Sequence, residues 1–179
     1  MKFKDDKDMI LLVVPISHTH YVMPPIGLGY LAAALRRGGF DEVVILDCVK
    51  EGLSFNGFRG FLERIKPRIV GFQIFSYDFD SVVKSIEIVK QLNHETKVLI
   101  GGAHVSATSA LALEEIKQAD YGFVGEGEIG LPMLAGRLLR DEQIPLENIP
   151  GLIWRENSSI RENARTGVED LDSLGFQPW

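Results

Sequence analysis

Val43-Val44-Ile45-Leu46-Asp47-Cys48-Val49-Lys50-Glu51-Gly52 passes from a wholly apolar run into a polar loop that ends on glycine. The run does not alternate polar with apolar, which is the pattern of a strand buried on both faces. Asp47 closes it, and Gly52 follows at the spacing D-x-x-x-x-G. Comparable runs lie on either side, at residues 10–15, 68–74, 97–101 and 121–124. The segments after these runs change to a helical period. Residues 26–38 align Leu28, Leu31 and Leu35, with Gly38-Gly39 as a stop. Residues 55–65 end before Pro67. Residues 78–93 align Val82, Ile86 and Val89. Residues 106–117 read as a helix that begins on Ser106, a candidate cap. Residues 129–140 align Leu131, Leu134 and Leu138.

Five strand–helix units in succession predict an α/β fold, a doubly wound five-stranded parallel sheet with helices on both faces. The expected strand order is Rossmann-like, of flavodoxin type, 2-1-3-4-5. Residues 152–154 and 159–161 are expected to form a small C-terminal hairpin around Asn157-Ser158, followed by a tail. The predicted organisation is a frayed segment 1–8, a core domain 9–148, and a hairpin and linker 149–179.

The 179 residues carry a net charge of -6, with 45% apolar and 25% charged residues. An acidic chain repels a phosphate backbone, so nucleic acid is not an expected partner. The longest wholly apolar stretch, residues 9–14, is far short of the ~20 residues that cross a bilayer. Cys48 is the single cysteine, so neither an intrachain disulfide nor a cysteine-built iron–sulfur or zinc site can form within this chain. A reducing cytoplasm is the default location.

In an open parallel sheet, ligands bind beyond the carboxyl ends of the strands. The first such loop, residues 16–25, is long and carries Ser17, His18, Thr19, His20 and Tyr21. His18 and His20 share a side of an extended segment, but no third ligand stands at fixed spacing, so no metal site is assigned. Gly101-Gly102-Ala103-His104 follows the fourth strand. Two successive residues there lack a Cβ, which lets a ligand pass close to the backbone. His104 is a candidate ligand contact. In Gly125-Glu126-Gly127-Glu128, Glu128 reads as a helix cap and Glu126 as a ligand contact. Asp78 is the expected cap of the third helix, which frees Ser76 for a ligand. The Asp47–Gly52 loop is expected to face Gly101-Gly102 across adjacent strand ends.

Gly27-Leu28-Gly29-Tyr30-Leu31-Ala32 satisfies G-x-G-x-x-A, and Asp47 lies twenty residues beyond Gly27. That is a dinucleotide fingerprint in spacing but not in context. Eleven residues separate Pro15 from Gly27, whereas the fingerprint begins directly after the strand. Pro24-Pro25 starts the helix before the glycines. A nucleotide-binding Rossmann enzyme is therefore a lesser alternative.

Read together, several stretches resemble the amino-terminal cobalamin-binding domain of cobalamin-dependent radical S-adenosylmethionine enzymes. They are residues 24–33, Gly101-Gly102-Ala103-His104, residues 120–128, Ile149-Pro150-Gly151-Leu152 and Asp170-Leu171-Asp172-Ser173-Leu174. Oxidative cyclases of anaerobic bacteriochlorophyll synthesis and carbon methylases are the nearest branches. The resemblance implies cobalamin as cofactor, with Ser17, His18, Asp47, Cys48, Val49, Gly52, Ser76, Gly101, Gly102, His104, Gly125 and Glu126 around it. It also implies a downstream barrel, beyond Trp179, that holds a [4Fe–4S] cluster on C-x-x-x-C-x-x-C and binds S-adenosylmethionine. That barrel and a small organic substrate are the implied partners. By itself this chain is then expected to be inactive. Cobalamin domains of the D-x-H-x-x-G type ligate cobalt with the histidine. Here Val49 stands at that position, and Ser76-Tyr77-Asp78 departs from S-x-L. The implied role is to hold the corrin without a histidine lower ligand, with a vestigial interdomain packing module as the alternative.

Overall fold

A computed structural model describes residues 8–17, 24–157 and 159–167. The parallel strands are β1 (Ile10–Val14), β2 (Val43–Asp47), β3 (Ile69–Gln73), β4 (Lys97–Gly101) and β5 (Tyr121–Phe123). Their order is β2-β1-β3-β4-β5, the flavodoxin-type order predicted from the alternating units. The C-terminal hairpin, β6 (Leu152–Glu156) and β7 (Ser159–Glu162), is not a separate appendage. It extends the sheet to seven strands, with β6 antiparallel to β5 in the register Tyr121↔Trp154. Its inner strand is buried at Leu152, Ile153 and Trp154, so the apolar content of β6 covers what would be an open sheet edge at β5.

The helices are α1 (Ile26–Arg37), α2 (Phe55–Ile65), α3 (Phe79–Leu92), α4 (Ala103–Thr108), α5 (Ala110–Glu115) and α6 (Gly130–Arg140). The continuous apolar strands divide by the two-residue pleat. Leu11, Val13, Val70, Phe72, Val98 and Ile100 pack with Phe58 and Leu62 of α2 and Val82 and Ile86 of α3. Ile10, Leu12, Ile69 and Leu99 pack on the opposite face with Leu28 and Leu35 of α1 and Leu131 and Leu134 of α6. Each such side chain contributes roughly 1.5–3 kcal/mol when fully withdrawn from water.

Local signals set most boundaries. Ser54 accepts the Gly57 N–H at 3.2 Å, and Lys66 ends α2 in the left-handed region ahead of Pro67. The helix expected at 106–117 differs. It begins at Ala103, directly after Gly102, and breaks at Ser109, whose φ is 54°. Ser106 therefore sits inside α4. Its hydroxyl does not cap; it accepts the Gly125 N–H at 3.0 Å and ties the β4 and β5 loops together. Asp78 precedes α3 and is buried but makes no side-chain capping bond. Gly27 and Gly29 lie within α1, not in the strand-to-helix turn a dinucleotide site needs. Among the described residues, no helix is long and apolar enough to cross a membrane.

Candidate functional site

The sheet face under α1 and α6 has a gap in its own side chains. On that face Leu12 of β1, Gly71 of β3 and Leu99 of β4 lie side by side in register. One pleat further on, Gln73 pairs with Gly101. Two of these positions, Gly71 and Gly101, contribute no side chain, so the floor drops between β3 and β4. The first turns of α1 and α6 cannot close it. Gly27, Leu28 and Leu31 form one wall, and Phe123, Leu131 and the residues 125–128 form the other. The result is a cavity of about 210 Å³ at the carboxyl edge of the sheet.

The glycines set the shape of this slot. A Cβ on Gly27 would meet nothing within 4 Å, because the space beside it is open. A Cβ on Gly71 would stand 3.1 Å from Leu12 Cδ2, and one on Gly101 would be 3.9 Å from the Phe123 carbonyl. Gly102 differs in kind. Its φ is +99°, and a Cβ would come within 3.0 Å of the Ile74 backbone. The Ile74 N–H donates to the Gly101 carbonyl at 2.8 Å and the Ile74 carbonyl accepts from His104 N–H at 3.1 Å. Gly102 thus lets two loop backbones lie against each other.

The slot is apolar except for Gln73, Glu126 and Glu128. Glu128 Oε2 is buried without a hydrogen-bond partner. Burial raises the Glu128 carboxyl above the ordinary carboxylate range; the amides of Glu128 and Gly127 oppose this, Glu126 adds to it, and Arg37 opposes it. The sequence-based reading of Glu128 as a cap is corrected here: α6 begins at Gly130 with no side-chain capping bond, and the Glu128 oxygen is buried at the slot.

The residues singled out from sequence fall in three places. Gly101, Gly102, Gly125 and Glu126 line the slot. Ser76 and His104 pair with each other, Oγ to Nδ1 at 3.0 Å, and the His104 ring is tilted over Phe79. Phe79 packs with the cluster on the opposite sheet face, so this pair flanks the slot from behind. Asp47 ends β2, Cys48, Val49 and Gly52 lie in the turn after it, and none of the four lines the slot. The expectation that this loop faces Gly101-Gly102 across adjacent strand ends is corrected by the sheet order, since β1 and β3 lie between β2 and β4. Ser17 is described but does not line the slot. His18 and His20 lie outside the described residues. Among the described residues, no cluster of three metal-ligating side chains occurs.

The sequence-based reading does not name Gly71, Gln73, Gly127 or the first turn of α1 as ligand contacts, yet all line the slot. Gly71 did carry a signal, since a glycine inside an apolar strand marks a close approach or a missing side chain. Gly27 enters the sequence reading through the failed nucleotide fingerprint and the resemblance at residues 24–33, not as a wall of a ligand slot.

Comparison with known proteins fits this geometry. The model of the B12 binding domain matches residues 12–135, which spans the slot from Leu12 to Leu131. An uncharacterized methyltransferase of Pyrococcus horikoshii is 32% identical over 84% of this chain, and the match spans 32% of that relative. The anaerobic magnesium-protoporphyrin IX monomethyl ester cyclase of Rubrivivax gelatinosus is 26% identical over 84% of this chain and matches 28% of its own length. The chain therefore spans about a third or less of these relatives. Among solved structures, the radical S-adenosylmethionine methyltransferase TsrM from Kitasatospora setae, with cobalamin and a [4Fe-4S] cluster bound, shares the fold at a TM-score of 0.76. It is 23% identical, over 91% of this chain and 30% of TsrM. With most of its length matched by the family model, this chain belongs to the B12-binding domain family.

Proposed function

We propose that this chain binds cobalamin and presents it to a radical S-adenosylmethionine barrel in the same polypeptide. The observation that carries the reading is the slot floored by Gly71 and Gly101 at the carboxyl edge of the sheet. Cobalamin is a broad, amide-fringed ring with one flat, mostly apolar base on a flexible tail. The ring is too wide to enter between α1 and α6. The base is the part whose shape and polarity match an apolar slot walled by Leu28, Leu31, Phe123 and Leu131. The corrin would then rest on the loops at the carboxyl edge. No histidine comes from the β2 loop, where Val49 stands.

When bound, cobalamin supplies a cobalt centre that cycles between oxidation states and can carry a methyl group. The residues of this chain do the holding. The glycines admit the base, the leucines and Phe123 exclude water from it, and Gly102 fixes the loops at the mouth. Three of the large apolar side chains most exposed among the described residues stand at this edge: Ile26 at 56%, Tyr77 at 72% and Ile129 at 42%. Tyr77 also stacks on Phe75 at 5.6 Å. An apolar rim around a cofactor mouth suits a covering domain, and a barrel with its own [4Fe–4S] cluster and S-adenosylmethionine fits that place. The parent enzyme would act on a small organic substrate by methyl transfer or oxidative cyclisation, in the cytoplasm, where a lone buried thiol needs no oxidising partner.

The test is direct. The chain is mixed with hydroxocobalamin, gel-filtered, and the visible spectrum of the protein peak is recorded. A coloured peak with one equivalent of corrinoid is expected. A colourless peak at micromolar protein would instead favour a vestigial packing module.

A further inference from the structure

The slot is nearly featureless in polarity, so the few polar groups in it decide which ligand base is accepted. Of Gln73, Glu126 and Glu128, only Glu128 presents a buried oxygen with no partner. A buried polar atom left unpaired is unfavourable unless a ligand completes it. Resting on the cobalamin reading above, we propose that Glu128 reads the base of the cobalamin tail, its buried carboxyl oxygen sharing a hydrogen bond with the base nitrogen that coordinates cobalt in free cobalamin.

The chemistry follows from the surroundings. Once the base leaves cobalt and enters the slot, its ring nitrogen is an acceptor in an apolar wall. An ionised carboxylate has no proton to offer it, whereas a carboxylic acid has one. Burial already favours the neutral form at Glu128, and a base that displaces water from the slot strengthens this. The charged groups that act on Glu128 are Glu126 from its own loop, which also favours the neutral form, and Arg37 from α1, which opposes it least. Gln73 lies across the slot on β3 with its stem against Gly102, and its amide has no buried atom awaiting a partner.

The test compares three corrinoids on this chain, each reduced to the cobalt(I) state in which no base is bound to cobalt: cobalamin, a phenolyl cobamide whose base lacks the ring nitrogen, and cobinamide, which lacks the base altogether. The unmodified chain is expected to prefer cobalamin over the phenolyl cobamide by about tenfold, the equivalent of one good hydrogen bond. Glu128→Leu should bring that ratio close to one and leave cobinamide affinity unchanged. Glu128→Gln retains an N–H donor and should keep most of the preference. Gln73→Leu should keep it as well. Preference persisting in Glu128→Leu, or lost instead in Gln73→Leu, would overturn the assignment. So would a preference for an adeninyl cobamide that Glu128→Leu abolishes, because an exocyclic amine needs Glu128 as an acceptor. Binding of cobinamide and both cobamides with equal affinity by the unmodified chain would reject the role of Glu128 while leaving cobalamin binding intact. No binding of any corrinoid would reject the proposed function itself, and this role with it.

Discussion

Two loops at the same edge of one sheet each turn on a glycine with positive φ, Gly52 and Gly102, yet they are built for opposite purposes. After β2, the Asp47 carboxylate turns inward on its own chain. Its Oδ1 accepts the N–H groups of Val49 at 3.0 Å and Lys50 at 2.9 Å. Gly52 takes φ +59° to complete the turn, and the Leu53 N–H returns to the Cys48 carbonyl at 2.9 Å. Asp47 is 9% exposed and Cys48 2%. This loop is closed and self-satisfied. After β4, the glycines leave space instead of filling it, and a buried carboxyl oxygen nearby is left without a partner. The difference shows that a motif spacing alone does not locate a site. What locates it is whether the loop consumes its own polar groups or leaves room and an unpaired atom for a ligand.

The largest effect is expected on the open side. Gly71→Val places a branched side chain on the slot floor against the movable end of Leu12, so the fold should survive at a cost of about 1–3 kcal/mol. Cobalamin affinity should drop on the order of a hundredfold, the equivalent of about 2.7 kcal/mol. Equilibrium binding with a parallel urea melt separates the two effects, and unchanged affinity in a folded variant would show that the floor does not touch the ligand.

A smaller change sharpens the same side. Gly101→Ala meets only the Phe123 carbonyl, at an ordinary 3.9 Å, so stability should hold while binding weakens roughly tenfold by narrowing the mouth. Titration against cobinamide serves as control, since a tail-less corrinoid should lose less.

The closed side should answer in the opposite sense. Asp47→Ala removes the acceptor of two backbone N–H groups and should cost about 1–2 kcal/mol of stability. Corrinoid affinity should stay within about twofold for the folded fraction. A large loss of affinity at unchanged stability would return the β2 loop to the ligand.

The mildest effect concerns Cys48. Burial first, and then the Asp47 charge, push its thiol from 9.0 up to about 12. The native chain should resist alkylation at pH 8 and react fully in denaturant. The folded state holds the proton more tightly than the unfolded chain, so this group's contribution to stability is complete below pH 9 and is lost as pH rises from there toward about 12. Rapid labelling of the native protein would mean that the loop opens.

The layered fold was legible because each strand run is apolar on both faces and each helix carries its period. The candidate slot was partly legible as well: Gly101-Gly102 and Gly125-Glu126 are consecutive, their loops follow strands directly, and the structure brings all four to its lining. Gly71 was harder to see, because its meaning depends on lying beside Leu12 and Leu99, a register no local pattern reveals. Glu128 was misjudged for a related reason. Next to a helix start it looks like a cap, and only the packing of α6 on β5 turns its oxygen into an apolar enclosure. Asp47 is a different case: its spacing is suggestive, but its carboxylate accepts two N–H groups of its own loop and it does not line the slot.

The central claim is that the slot takes the cobalamin base away from cobalt. It is tested most directly by electron paramagnetic resonance of the chain loaded with cob(II)alamin whose dimethylbenzimidazole is labelled with nitrogen-15. Free cob(II)alamin shows a doublet superhyperfine splitting from the labelled base. The account predicts a corrinoid-loaded protein peak in which that doublet is absent. A protein-bound spectrum that keeps the doublet would place the base on cobalt and leave the slot without its proposed occupant.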